Sequence, residues 1–181
     1  MSAFPEVKTI KTIEELLQQV DYVYDELAGI VNEWPEEYLN AKPEPEGWSM
    51  AKNVRHACST NTLIAFWVRL PGFLLIMLGR PRANSTAIEE VRPTNRPKHF
   101  DYGVYPSKSE IKPGLRQDLV KALKLSAIKM KKAIKSRPEE HFTRYKGPFG
   151  GMSMFKAVQF TLKHSAHHLQ VAQTRLDASL S

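Results

Sequence analysis

The chain has 181 residues, of which 42% are hydrophobic and 25% charged, and its formal net charge is +7. This length predicts a single domain over residues 1–181, and the single cysteine, Cys58, excludes an intrachain disulfide framework and favours a reducing cytoplasm. The basic charge only weakly indicates nucleic-acid binding. The lysines of segment 120–135 fall mainly on one helical side, and no aromatic residues lie between them to stack on bases. We therefore expect no nucleic-acid partner.

The first predicted helix begins after Thr12, which can cap it, with Glu15 three residues on to complete a capping box. Apolar residues then recur every three or four positions until Trp34 and Pro35 end the pattern. The start of the chain shows no basic segment followed by an apolar run, so we expect no signal peptide.

The second predicted helix begins at Ser49 and is bent or ended by Pro71. The following segment FLLIML indicates a short helical continuation. The most apolar segment, residues 63–78, is interrupted by Arg69 and Pro71 and is too short to cross a bilayer comfortably, so we expect no membrane partner. Its apolar residues exceed what one helix face can bury and indicate either core or the surface of a homodimer. They are Phe66, Trp67, Phe73, Leu74, Leu75 and Met77.

A long irregular connection, residues 79–113, separates the second helix from a third over residues 114–136. A fourth helix begins after the segment KGPFGG and carries two adjacent stripes at helical spacing, which indicates packing between two neighbours. The sequence therefore predicts an all-α fold, a four-helix bundle with a long irregular connection between its second and third helices.

The fourth helix carries His164 and His168 one turn apart, so their rings share one face and can bind one divalent metal. His167 is rotated by roughly 60° from His164 and need not face inward. A catalytic zinc site usually takes three protein ligands, and the best third candidate is His56 on the second helix. Spacing alone leaves open an ordinary polar helix face with no metal.

Two motifs, GWSMAKNVRH and KHSAHHLQVAQ, resemble those of the DinB-like superfamily of four-helix bundles. The segment GWSMAKNVRH is similar to a second-helix motif in which a Trp-Ser pair opens the helix and a histidine follows eight residues after the tryptophan, as His56 follows Trp48. The segment KHSAHHLQVAQ is similar to a fourth-helix motif of two histidines four residues apart, with a glutamine soon after. The long connection and the absence of a glycine after the second motif depart from the best-known members.

The resemblance implies a divalent metal, commonly nickel or zinc, held by His56, His164 and His168. It also implies chemistry that depends on a low-molecular-weight thiol, as in the related thiol-dependent transferases. We therefore expect a metal-activated thiolate or hydroxide that attacks a small-molecule substrate, in a transferase or a hydrolase. Groups that can orient ligands or substrate are Asn53, Thr60, Thr161 and His167. The alternative is a non-catalytic binding protein with a structural metal or none.

Overall fold

The computed structural model describes residues 4–44, 47–82, 86–93, 104–105 and 108–181. Within these ranges the structure is helical, and β pairing is limited to two isolated bridges. The all-α prediction is confirmed, and four long helices form a bundle. The helices are α1 (Ile13–Glu33), α2 (Met50–Val68), α3 (Gly72–Met77), α4 (Leu115–Lys135), α5 (Glu140–Arg144) and α6 (Met154–Leu180), with short 3-10 helices at Glu36–Tyr38 and Ile88–Glu90.

The starts of α1 and α2 follow from side-chain caps. In α1 the Glu15 amide donates to Thr12 Oγ1 at 3.2 Å, and the Thr12 amide donates to the Glu15 carboxylate at 3.0 Å. In α2 the Lys52 amide donates to Ser49 Oγ at 3.3 Å. These bonds satisfy amides that have no partner within the helix, so the predicted capping box and the predicted start at Ser49 are both confirmed.

The long helices form a closed arrangement in which α1 and α2 each pack against α4 and α6. Helices α2 and α4 run parallel: Asn61 Nδ2 donates to the Ser126 carbonyl at 2.7 Å, and Arg137, just past α4, donates to the Val68 carbonyl at the end of α2. Because parallel neighbours require the chain to return along the bundle, a long connection between α2 and α4 is a consequence of the topology.

Part of the predicted irregular connection lies outside the described residues, namely 83–85, 94–103 and 106–107. The described middle is held against the bundle around the 3-10 helix Ile88–Glu90. There the Glu89 carboxylate accepts from the amide and the hydroxyl of Thr9, at 2.5 and 2.6 Å. On the other side, Lys163 of α6 donates to the Ile88 carbonyl at 2.9 Å. This part of the connection therefore packs across the α6 side of the bundle.

Most residues of both predicted stripes of helix α6 are buried, consistent with its position between α1 and α2. The segment that leads into α6 packs closely against the helix, because a Cβ added to Gly147 would lie 2.4 Å from the Cβ of Ala157. Gly151, in the same segment, has φ +87°, a backbone conformation that favours glycine. The buried residues of α6 include Val158, Thr161, Leu162, Ser165, His168, Leu169, Ala172, Arg175 and Leu176.

Two short helices differ in how well they were predicted. Helix α3 confirms the expected short continuation after Pro71. Helix α5 was missed, because it has only five residues, which are too few to show a helical period. Among the described residues, none of the helices combines the length and apolarity that a membrane span needs.

Candidate metal centre

Helices α2 and α6 bring His56, His164 and His168 together. His56 lies on the second turn of α2, and the two other histidines occupy successive turns in the middle of α6. Each of the three offers one ring nitrogen, and these nitrogens all lie within 4.8 Å of one another. The ring centroids are 4.4 Å apart for His164 and His168, 4.6 Å for His56 and His168, and 5.2 Å for His56 and His164. The grouping expected from the sequence is therefore present.

The two histidines of α6 point the same nitrogen at each other, with His164 Nε2 and His168 Nε2 3.1 Å apart. Two lone pairs facing each other at this distance would repel. A hydrogen on one nitrogen, or a cation bound by both, has to lie between them. The arrangement therefore suits either an imidazole hydrogen bond or a shared metal ion.

Asn53 determines which ring nitrogen of His168 carries the lone pair that can bind a metal. Its Oδ1 lies 3.1 Å from His168 Nδ1, while its Nδ2 donates to the carbonyls of Trp48 and Ser49 at 3.2 and 3.1 Å. These two donor bonds orient the amide so that the oxygen faces the ring, and an amide oxygen only accepts. The hydrogen of neutral His168 is therefore on Nδ1, and Nε2 carries the lone pair directed at the other histidines.

Trp48 forms an aromatic wall of the site that sequence reasoning had not placed there. Its ring stacks on His168 at 5.8 Å with an interplanar angle of 12°, and it meets His56 at 4.8 Å. Lys52 Nζ lies 4.8 Å from the centroid of the same indole. The eight-residue interval between Trp48 and His56 was the available signal, but only the packed structure shows that the indole contacts two of the histidines.

A second aromatic group borders the site on α6. The Phe160 ring lies 6.1 Å from that of His164, and Phe149 packs on Phe160 at 5.1 Å. His168 is buried, whereas His56 and His164 are only partly buried. The cluster is therefore supported from within and accessible on one side.

The other predicted site residues have different positions. Thr161 is buried and donates to the Ala157 carbonyl of its own helix at 2.9 Å, so its hydroxyl is directed along the helix. Thr60 is partly buried one turn after His56. His167, which was not required to face inward, is buried, with its ring 5.8 Å from that of His168. Within the described ranges, no cysteine, carboxylate or further histidine joins the three-histidine group.

Cys58 follows His56 on α2 but is not part of the cluster. It is partly buried and packs against the hydrophobic core. Burial raises the pKa of its thiol above the usual value, although a hydrogen bond with Ser126 opposes this effect. A raised pKa keeps the thiol protonated, which is typical of a structural rather than a reactive cysteine.

The chain matches a known protein family. The family model described as the DinB superfamily matches residues 19–172, which include all three histidines, Asn53 and Trp48. No curated protein and no solved structure matches the chain.

Proposed function

The chain belongs to the DinB superfamily, and we propose that it is a metal-dependent enzyme in which His56, His164 and His168 hold one divalent cation. The observation that carries this proposal is the pair of Nε2 atoms 3.1 Å apart, together with the Asn53 contact that places the hydrogen of His168 on the opposite nitrogen. A ring nitrogen so oriented presents its lone pair to a shared ligand.

The donor set fits such an ion. Metal–nitrogen bonds of about 2.0–2.1 Å place two ligands about 2.9 Å apart at a right angle and about 3.4 Å apart at a tetrahedral angle. The observed Nε2 separation of 3.1 Å lies between these values. Since the three nitrogens lie within 4.8 Å, small side-chain rotations would bring all of them to bonding distance. Neutral imidazoles suit both nickel and zinc.

The described part of the chain offers three protein ligands at this site. A structural zinc site normally has four protein ligands. A cation held here would have positions left for exogenous ligands, and it would lower the pKa of a thiol or water and polarise the substrate. The reaction we propose is attack by a low-molecular-weight thiol, or by water, on a small electrophile. The enzyme would then be a thiol-dependent transferase or a hydrolase.

The protein's own residues would bind and orient these reactants. Trp48 and Phe160 border the cluster with aromatic surface, which can pack on apolar parts of a substrate and exclude water. Asn53 holds His168 in one tautomer and one orientation. The partial exposure of His56 and His164 provides the approach for small molecules.

The test is turnover that depends on metal. Chelator-treated protein reloaded with nickel or zinc would be assayed for thiol conjugation to small electrophiles and for hydrolysis of small esters and amides. We expect activity that requires the metal and is lost in His56→Ala and in His168→Ala. It should be retained in Asn61→Ala, which changes a buried residue on α2, the helix that carries His56. A protein that binds metal, shows no turnover in either assay and loses its fold on metal removal would instead have a structural centre.

A further inference from the structure

Helix α3 turns apolar side chains toward solvent. Leu75 is fully buried and holds the helix to the core, whereas Phe73, Ile76 and Met77 are 65%, 58% and 80% exposed. Their spacing of three and four residues places these three on one stripe. A surface helix ordinarily directs polar residues to water. An exposed apolar stripe such as this one is instead typical of a binding surface.

Neighbouring residues extend this surface. Phe66, within the last turn of α2, is 61% exposed, and Leu78, directly after α3, is 42% exposed. We call the apolar end face the set Phe66, Phe73, Ile76, Met77 and Leu78.

The apolar end face lies at the end of the bundle where α2 and α4 finish. Arg137, just past α4, donates to the carbonyls of Val68 and Leu70, the latter at 2.8 Å. Trp67 Nε1 donates to the Lys146 carbonyl at 3.2 Å. These contacts place segment 129–146 beside segment 63–82, so the charges of both belong to the same end of the molecule.

This end carries the basic charge of the chain. The two segments hold ten lysine and arginine residues and two glutamates, a net charge of +8, against +7 for the whole protein, which leaves −1 for all other residues. Of these basic residues, Lys131 is paired with Asp21 of α1. The exposed ones include Arg69, Arg80, Lys129, Lys132, Lys135 and Arg144.

We propose that the apolar end face docks on an anionic lipid membrane, with Phe73, Ile76 and Met77 entering the interface and the surrounding basic side chains meeting the headgroup phosphates. A stripe of large apolar residues with a basic surround is the combination that interfacial binding uses. A second copy of this chain would bring together two ends that each carry a net charge of +8 over segments 63–82 and 129–146 combined. A nucleic acid would neutralise the charge but leave the apolar stripe in water.

The expectation of no membrane partner rested on segment length, which argues against crossing a bilayer. Docking at the surface needs no spanning helix. It requires only side chains that reach the boundary between headgroups and acyl chains.

The test is co-sedimentation of the full chain with vesicles of phosphatidylcholine, with and without about one-third phosphatidylglycerol. We expect binding to the anionic vesicles only, weakened by salt at about 1 M. The double variant Phe73→Ser with Met77→Ser should bind about tenfold or more weakly, because two inserted side chains are lost. Arg69→Gln should weaken binding about fivefold.

The matched control is Leu180→Ser, which removes an apolar side chain of similar exposure, 60%, at the C-terminal end of α6. It should bind like wild type, and circular dichroism should show that all variants remain helical. The proposal would be overturned if wild type failed to sediment with anionic vesicles. It would also be overturned if Phe73→Ser with Met77→Ser abolished a vesicle-free dimer seen by analytical ultracentrifugation, since the face would then be a subunit interface.

Discussion

Replacing Asn53 with alanine should weaken divalent-metal binding by about 10- to 100-fold. Asn53 is buried, and its Oδ1 accepts from His168 Nδ1 at 3.1 Å. Without that acceptor, His168 is free to take the other tautomer or rotate, and its Nε2 is no longer held ready for a metal. The expected loss corresponds to about 1.4–2.8 kcal/mol of binding free energy.

The affinity would be measured by titrating zinc or nickel into chelator-treated protein, in competition with a chromophoric chelator. Asn61→Ala is the matched control, because Asn61 is also a buried asparagine of α2 and donates to the Ser126 carbonyl at 2.7 Å, away from the histidines. It should lose stability and keep its metal affinity.

The variant Asn53→Asp tests whether Asn53 acts by orienting His168 or by supporting the turn before α2. Aspartate keeps an acceptor for His168 but cannot donate to the carbonyls of Trp48 and Ser49, which the asparagine amide contacts. We therefore expect Asn53→Asp to bind metal at least as tightly as wild type. The reasoning would be refuted if Asn53→Asp lost as much affinity as Asn53→Ala, or if Asn53→Ala matched Asn61→Ala.

Three further predictions concern stability and titration. Thr12→Ala removes the cap of α1 and should lower the free energy of unfolding by about 1 kcal/mol in urea denaturation, and an unchanged midpoint would contradict the cap's role. Trp34→Phe removes the indole N–H that donates to Gln173 Oε1 of α6 at 2.6 Å. The same assay should show that the free energy of unfolding falls by about 1–3 kcal/mol. For Glu89, bonds from the Thr9 hydroxyl and amide lower the pKa to about 2. This contact therefore stabilises the fold above pH 4.5 and is lost as the pH falls toward 2, and a carboxyl titration midpoint near 4.5 by NMR would contradict it.

The grouping of the histidines could be predicted because it rests on local regularities. A separation of four residues places His164 and His168 on one face of any helix, and Ser49 fixes where α2 begins and hence where His56 lies on it. Because motifs on both helices resemble those of one family, the resemblance then indicated that His56 joins the two histidines of α6. The antiparallel packing of α2 and α6 completes the cluster in the structure.

The contacts around the histidines could not be predicted in the same way. Asn53 was one of several polar candidates, and nothing in its spacing distinguished it from Thr161, whose hydroxyl bonds to its own helix. Trp48 precedes α2, so its stacking on His168 depends on how the turn before the helix folds back. Such contacts depend on tertiary packing, which helical periodicity does not encode.

The apolar segment after α2 shows a different limit of sequence reasoning. Its composition was compatible with burial in the core or with a binding surface, and periodicity cannot separate these alternatives in a six-residue helix. In the structure Leu75 is buried, whereas Phe73 and Met77 are exposed. Only the position of α3 at the end of the bundle determines which face is covered.

The measurement that tests the central claim most directly is elemental analysis of untagged protein purified without metal columns and then equilibrated with nickel or zinc. Wild type and Asn61→Ala should each hold about one equivalent of metal per chain, and His56→Ala and His168→Ala should hold almost none, because each variant leaves too few ligands. A wild-type protein that takes up neither metal, or variants that retain it, would contradict the three-histidine centre.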